Sequence, residues 1–147
     1  MDIEDNIKRE LERLTAQSKS VTGHKCGAVI VRGTDILCSG FAYLSSNHPV
    51  AGKDDLLQVH AEESALLNAL NKGIDISGAD IYVLLKKKTG EVRYTDASYS
   101  CVVCSRLLKQ TNIANVIYPS PDGWAKDSVD EMFEKAEKRV EEMWRDS

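Results

Sequence analysis

The sequence predicts an α/β fold in which helices are layered on a mixed sheet of four or five strands. Three observations lead there. Short runs rich in β-branched residues, CGAVIVRG (26–33), DILCSGFAY (35–43), IYVLL (81–85) and NVIYP (115–119), are too brief for helices and too apolar for loops. Segments of helical period lie between and around them. Turn residues separate the two kinds of segment, and no internal repeat or low-complexity linker breaks the order. With 147 residues, 42% hydrophobic and 29% charged, the chain is expected to form one domain, 1–147, around a single core.

The first helix is expected over 2–17, where Ile3, Ile7, Leu11 and Leu14 recur at helical spacing among Glu, Lys and Arg. Gly33-Thr34 separates the first two apolar runs closely enough for a hairpin. LSSNHPVAGKDD (44–55) is polar, contains Pro49 and Gly52, and is expected to be a loop of the length that borders sites. A second helix is expected from Gln58 to Lys72, with Ala61, Ala65, Leu66, Ala69 and Leu70 as its apolar residues and Gly73 as its stop. IYVLL then forms a buried strand, and KKKTGEVRYTDA (86–97) a solvated excursion turning at Thr89-Gly90. A third helix starts near Cys101 and reaches Gln110, followed by the strand NVIYP. No clear fifth strand follows Tyr118 before the last helix, so the sheet is either truncated there or its edge is completed by a segment without a strand signature. The last helix, 127–145, has a capping-box pair in Ser128 and Glu131. Its apolar face, from Val129, Met132 and Phe133 to Met143 and Trp144, is expected to be core or subunit interface.

Charge narrows the function classes. A net charge of −4 argues against gripping nucleic-acid backbones, which needs a basic surface, but leaves small phosphorylated ligands open. The N-terminal stretch MDIEDNIKRELERL is charged throughout, with no apolar signal core, and no stretch approaches the length of a membrane span. The expected compartment is the cytoplasm, without a membrane partner, where thiols stay reduced. Cys26, Cys38, Cys101 and Cys104 are therefore metal ligands, catalytic groups or small core residues before they are disulfides.

Two motifs carry the chemistry: VHAEES (59–64) and SCVVCSR (100–106). Cys101 and Cys104 are one helical turn apart, so both sulfurs reach one point beside the start of the third helix, where the helix dipole favours thiolates. His60, also at a helix start, is the natural third ligand. Two thiolates and an imidazole make a three-ligand set for one zinc ion, with the fourth position left to water. Positions two apart in a helix point to nearly opposite sides. His60 and Glu62 therefore share a site only where the helix begins. There a carboxylate can move a proton between water and a leaving group without binding the metal.

These motifs resemble the zinc-dependent cytidine and deoxycytidylate deaminase superfamily, whose signature is H-x-E followed by P-C-x-x-C. The resemblance runs from KCGAVIV through ILCSGFAY and VHAEESALLNAL to CVVCSRLLKQTNIANVIY, a motif core of 20–118, and SKSVTGHKCGAVIV is most like the deoxycytidylate type. It implies a three-layer α/β/α cytidine-deaminase-like fold and one catalytic Zn2+ per subunit held by His60, Cys101 and Cys104. It implies Glu62 as the proton shuttle in hydrolytic deamination at C4 of a cytosine-type nucleoside or nucleotide (cytidine, deoxycytidine, CMP or dCMP), giving the uracil form and ammonia. A small-molecule partner, nucleotide metabolism and a homo-oligomer, with the terminal helix as an interface, follow from the same likeness. Ala61, Ser100, Tyr99 and Asn47 are the candidates to line the substrate pocket.

The chain departs from that pattern in three places, one of them the stretch after Tyr118 that lacks a clear strand. Ser100 stands where proline usually precedes the first cysteine, and a serine N-cap can replace the rigid turn. Gly40, Phe41 and Ala42 stand where G-Y-N is common, so an asparagine that usually touches the sugar is missing. Other readings weigh against this one. Cys101 and Cys104 alone could be a redox pair or, with a fourth ligand from His24, Cys26, Cys38 or His48, a structural zinc site. Cys26 and Cys38 fit small core residues better. The substrate could be RNA, single-stranded DNA or another heterocycle, or the fold could bind nucleotides without turnover. Retention of Glu62 argues against the last.

Overall fold

The computed structural model describes residues 2–19, 23–44, 58–94 and 102–145; for 44, 58, 102 and 103 it describes the backbone only. Its elements follow in the order α1 (Asp5–Gln17), β1 (Lys25–Arg32), β2 (Asp35–Phe41), β3 (Tyr43–Leu44), β4 (Gln58–Val59), α2 (Ala61–Lys72), β5 (Asp80–Lys86), α3 (Val102–Gln110), β6 (Asn115–Ser120), β7 (Gly123–Ser128) and α4 (Val129–Arg145). The main sheet has the order β2-β1-β5-β6-β7. Only β5 and β6 run parallel; β1–β2, β1–β5 and β6–β7 are antiparallel, which makes the sheet mixed. A separate ribbon pairs Tyr43 with Val59 and Leu44 with Gln58.

Strand alternation sorts the apolar residues into two cores. Ala28, Ile30, Ile81, Val83, Val116 and Tyr118 face α2, α3 and α4. Val29, Val31, Leu84 and Ile117 face α1, where they meet Ile3, Ile7, Leu11 and Leu14. Each fully buried aliphatic on α1 contributes about 1.5–3 kcal/mol of burial, enough to hold a lone helix on its face. This is the α/β/α layering the sequence implies.

Two strand glycines set how closely the helices approach. A Cβ on Gly40 of β2 would fall 2.4 Å from the Ala65 backbone nitrogen and 2.7 Å from the Ser64 carbonyl carbon. On the opposite face, a Cβ on Gly27 of β1 would sit 2.8 Å from the Leu14 Cβ. Their backbone angles are accessible to any residue; it is the space that requires glycine.

The differences from expectation lie at edges. A fifth strand, β7, pairs along β6 from Asn115↔Ser128 to Ser120↔Gly123, where the sequence shows no clear strand and leaves the edge open to either outcome. WAKDS has little β-branched character, and an edge strand whose pattern is mixed rather than alternating carries a weak periodic signal. β7 also delays the last helix from 127 to Val129. Ser128 then caps it: the Glu131 N–H donates to Ser128 Oγ at 3.1 Å, and the Ser128 hydroxyl donates to Glu131 Oε1 at 3.0 Å. At the other end α1 begins at Asp5 rather than 2, with the Glu4 carbonyl accepting from the Ile7 and Lys8 N–H groups. α2 begins at Ala61 rather than Gln58, because Gln58 and Val59 are taken by the ribbon. Its end at Gly73 (φ 65°) is as expected.

Substituting Gly40→Ala is expected to cost about 2–3 kcal/mol, because the atoms in the way are backbone and cannot turn aside. The shift of the urea midpoint measures it. An unchanged midpoint would mean that α2 can lift from β2 freely.

Candidate active site

The site begins with how α2 starts. His60 is its N-cap, held extended (φ −75°, ψ 157°) by the short ribbon before it, while its carbonyl already accepts the Ser64 N–H at 2.9 Å. Its side chain therefore leaves before helical geometry sets in. Glu62 is the second helical residue and is 5% exposed. Together with Glu63 it places acidic groups in the first turn, where they complement the helix dipole. Ala61 lies between His60 and Glu62 with its side chain in the core.

α3 brings the sulfur. Cys104, 2% exposed, places Sγ 3.3 Å from Nδ1 of His60, forty-four positions away in the chain. A sulfur and an imidazole nitrogen on one tetrahedral zinc, at the usual bond lengths, are about 3.6 Å apart. The pair thus has the donor chemistry and nearly the spacing of two ligands of one ion. Among the described residues no group of three or more His, Cys, Asp and Glu side chains converges on a metal position. Cys101, the third predicted ligand, lies outside the described residues, as do Ser100, Tyr99 and Asn47.

The strand contribution comes from β1. Cys26 opposes Leu85 at the carboxyl end of β5, the edge from which the chain goes on towards α3. It is partly buried against the core on the α2 face, and the negative charge of Glu62 acts on it. Burial, and then that charge, push the Cys26 thiol well up, towards the neutral form. The sequence places Cys26 only as a core residue. The missed signal was strand alternation: with Ala28 and Ile30 on the α2 face, Cys26 follows on that face at the strand's end. Cys38 does fit the core reading, buried with Sγ 3.5 Å from the Ala65 carbonyl oxygen. Near the same end of β1, Arg93 Nη1 lies 3.4 Å from His24 Nδ1 on exposed surface.

Residues 2–120 match the family described as the cytidine and deoxycytidylate deaminase zinc-binding region. The chain belongs to this family. No curated protein sequence matches it. Among solved structures, the dCMP deaminase of cyanophage S-TIM5 in complex with dCMP and dUMP aligns at TM-score 0.59 and 20% identity, covering 80% of this chain and 84% of that one. The apo form of the phage enzyme aligns at 0.56, with 20% identity over 80% and 86% of the two chains. Cytidine deaminase from Mycobacterium leprae aligns at 0.55, with 15% identity over 85% and 94%. At these identities the likeness establishes the cytidine-deaminase-like fold.

The Cys26 thiol gives this family member a testable pH response. A thiol kept protonated in the fold but free to ionise when unfolded contributes stability that is complete below the unfolded thiol value, about 8.5. That stability is lost as pH rises above it. Thermal stability is expected to decline above about pH 8.5, and Cys26→Val to flatten part of the decline, with Cys38, also raised by burial, supplying another part. Superimposable pH profiles for the two proteins would remove Cys26 from this account.

Proposed function

We propose that this protein is a zinc-dependent hydrolase that deaminates a cytosine-type nucleoside or nucleotide to its uracil form, releasing ammonia. The observation that carries the reading is the contact of His60 Nδ1 with Cys104 Sγ, beside the buried Glu62 that begins the same helix. Family membership supports it. His60, Cys104 and Cys101 would hold one Zn2+ per subunit. When bound, that ion supplies a Lewis acid that makes water a nucleophile near neutral pH.

The chain's own residues supply the rest. Glu62 accepts a proton from the attacking water and returns it to the departing amino group at C4, so ammonia leaves neutral. Its burial keeps bulk water from competing for that proton. Cys26, held as a neutral thiol beside Glu62, contributes a small uncharged wall. Ser100, Tyr99 and Asn47, with the backbone of Ala61, are proposed to line the pyrimidine pocket. A substrate carrying phosphate is proposed over a bare nucleoside, on the likeness of the chain to the deoxycytidylate type.

Among the described residues no helix is long and apolar enough to cross a membrane; we place the protein in the cytoplasm, acting on free small molecules. We also propose a homo-oligomer. In α4 the buried face holds Val129, Met132 and Ala136, whereas Met143 and Trp144 are 71% and 77% exposed, an apolar end suited to a second copy.

Glu62→Gln is expected to retain zinc and lose about 10²–10⁴-fold in rate, whereas Cys104→Ala loses the metal. Ammonia release from cytidine, deoxycytidine, CMP and dCMP, with zinc quantified in each protein, tests both. Turnover of a nucleotide in preference to its nucleoside supports the phosphate reading. Equal zinc loss in the two variants would overturn the assigned roles, and no turnover of any of the four by zinc-loaded protein would remove free cytosine nucleosides and nucleotides as substrates.

A further inference from the structure

β2 and β3 are almost continuous, and what divides them is a serine from another element. The β1–β2 ladder pairs Ala28 with Gly40 and Gly27 with Phe41, so Cys26 and Ala42 form the next rung. In a regular antiparallel sheet, such a hydrogen-bonded pair exchanges two backbone bonds directly. Here only one is direct, from the Ala42 N–H to the Cys26 carbonyl at 3.0 Å. In place of the other, the Cys26 N–H donates to Ser18 Oγ at 2.9 Å, and the Ser18 hydroxyl donates to the Ala42 carbonyl at 3.1 Å. The Lys19 N–H donates to the same carbonyl at 2.8 Å. Ser18 is buried at the C-cap of α1, so its hydroxyl has both its donor and an acceptor lone pair in use where water is scarce.

The wedge lies beside the candidate site. One partner, Cys26, is the strand residue on which Glu62 acts. The other, Ala42, leads directly into Tyr43, which pairs with Val59, and Val59 precedes His60. The chain leaves β1 at the rung Ser18 opens, and that departure sets where the β3–β4 ribbon delivers the start of α2.

We propose that Ser18 is a positioning residue for the site. By inserting its hydroxyl into the last rung of the β1–β2 ladder, it sets the direction of the ribbon that carries His60 and, two residues on, Glu62. The proposal takes the site of the proposed function as its object, but the ribbon geometry can be tested without turnover. In Ser18→Ala the Cys26 N–H loses its acceptor, and the rung either closes directly or stays open with a buried donor unpaired. Ser18→Thr keeps the hydroxyl on the same carbon.

The experiment compares these two variants with Ile7→Val, which loosens α1 packing away from the rung. Three quantities are read on full-length protein: amide exchange at Tyr43 and Val59, zinc affinity by competition with a chromogenic chelator, and kcat and KM on the substrate identified above. Ser18→Ala is expected to exchange faster at the ribbon, bind zinc about tenfold more weakly and lose about tenfold in kcat. Ser18→Thr should stay within about twofold of wild type on each. Ile7→Val should lower the melting temperature by a few degrees with neither change. Unaltered ribbon exchange in Ser18→Ala, or equal losses in Ser18→Ala and Ser18→Thr, would overturn the proposal. If wild type binds zinc but turns over nothing, the deaminase reading fails while exchange and zinc affinity still decide on Ser18.

Discussion

The site depends on the backbone of α2 lying directly on β2 at Gly40, with no side chain between them there. At Gly40 the helix backbone occupies the volume any Cβ would need. Around that contact, Asn68 Nδ2 donates to the Ser39 carbonyl at 2.7 Å, and the Cys38 thiol reaches the Ala65 carbonyl oxygen. These polar contacts tie α2 to β2 along its length and oppose sliding, so the helix start keeps its height above the sheet edge. His60 and Glu62 inherit that placement, and α3, packed alongside, brings Cys104 to His60.

The same edge is fixed from the other face. α1 contributes its apolar stripe to the second core, and at its C-cap Ser18 reaches through the end of the ladder to Cys26 and Ala42. An ion pair between Lys86 and Glu12 joins the end of β5 to α1 close by. Elements on both sides of the sheet therefore converge at the carboxyl end of β5. Open α/β folds place their sites at such edges because helix starts and strand ends meet there with backbone groups left to direct.

The cysteines show how environment divides one residue type among different tasks. Cys38 is buried among aliphatic residues and makes one weak bond to a backbone carbonyl. Cys26 is pushed towards the neutral thiol by burial and by a nearby carboxylate. Cys104, buried on α3, meets the imidazole of His60 at 3.3 Å, a second donor at the start of α2. Cysteine content alone does not separate these; distance to a second donor and to a negative charge does.

The sequence by itself determined most of the local elements and nominated the candidate chemistry. Period and turn residues located the helices, the central strands, the Gly73 stop and the Ser128–Glu131 cap, because those signals act within a few residues. HAEES and CVVC put forward the candidate side chains, since few residue types serve as zinc ligands or proton carriers. Tertiary structure alone decided the rest. β7 forms because β6 offers it an edge, with little help from its own composition. Cys26 becomes part of the site because β1 runs antiparallel to β5, which brings the start of one strand to the end of the other. Ser18 enters the ladder only because α1 lies across it. Each of these requires residues far apart in the chain to share a place, and no local pattern records that.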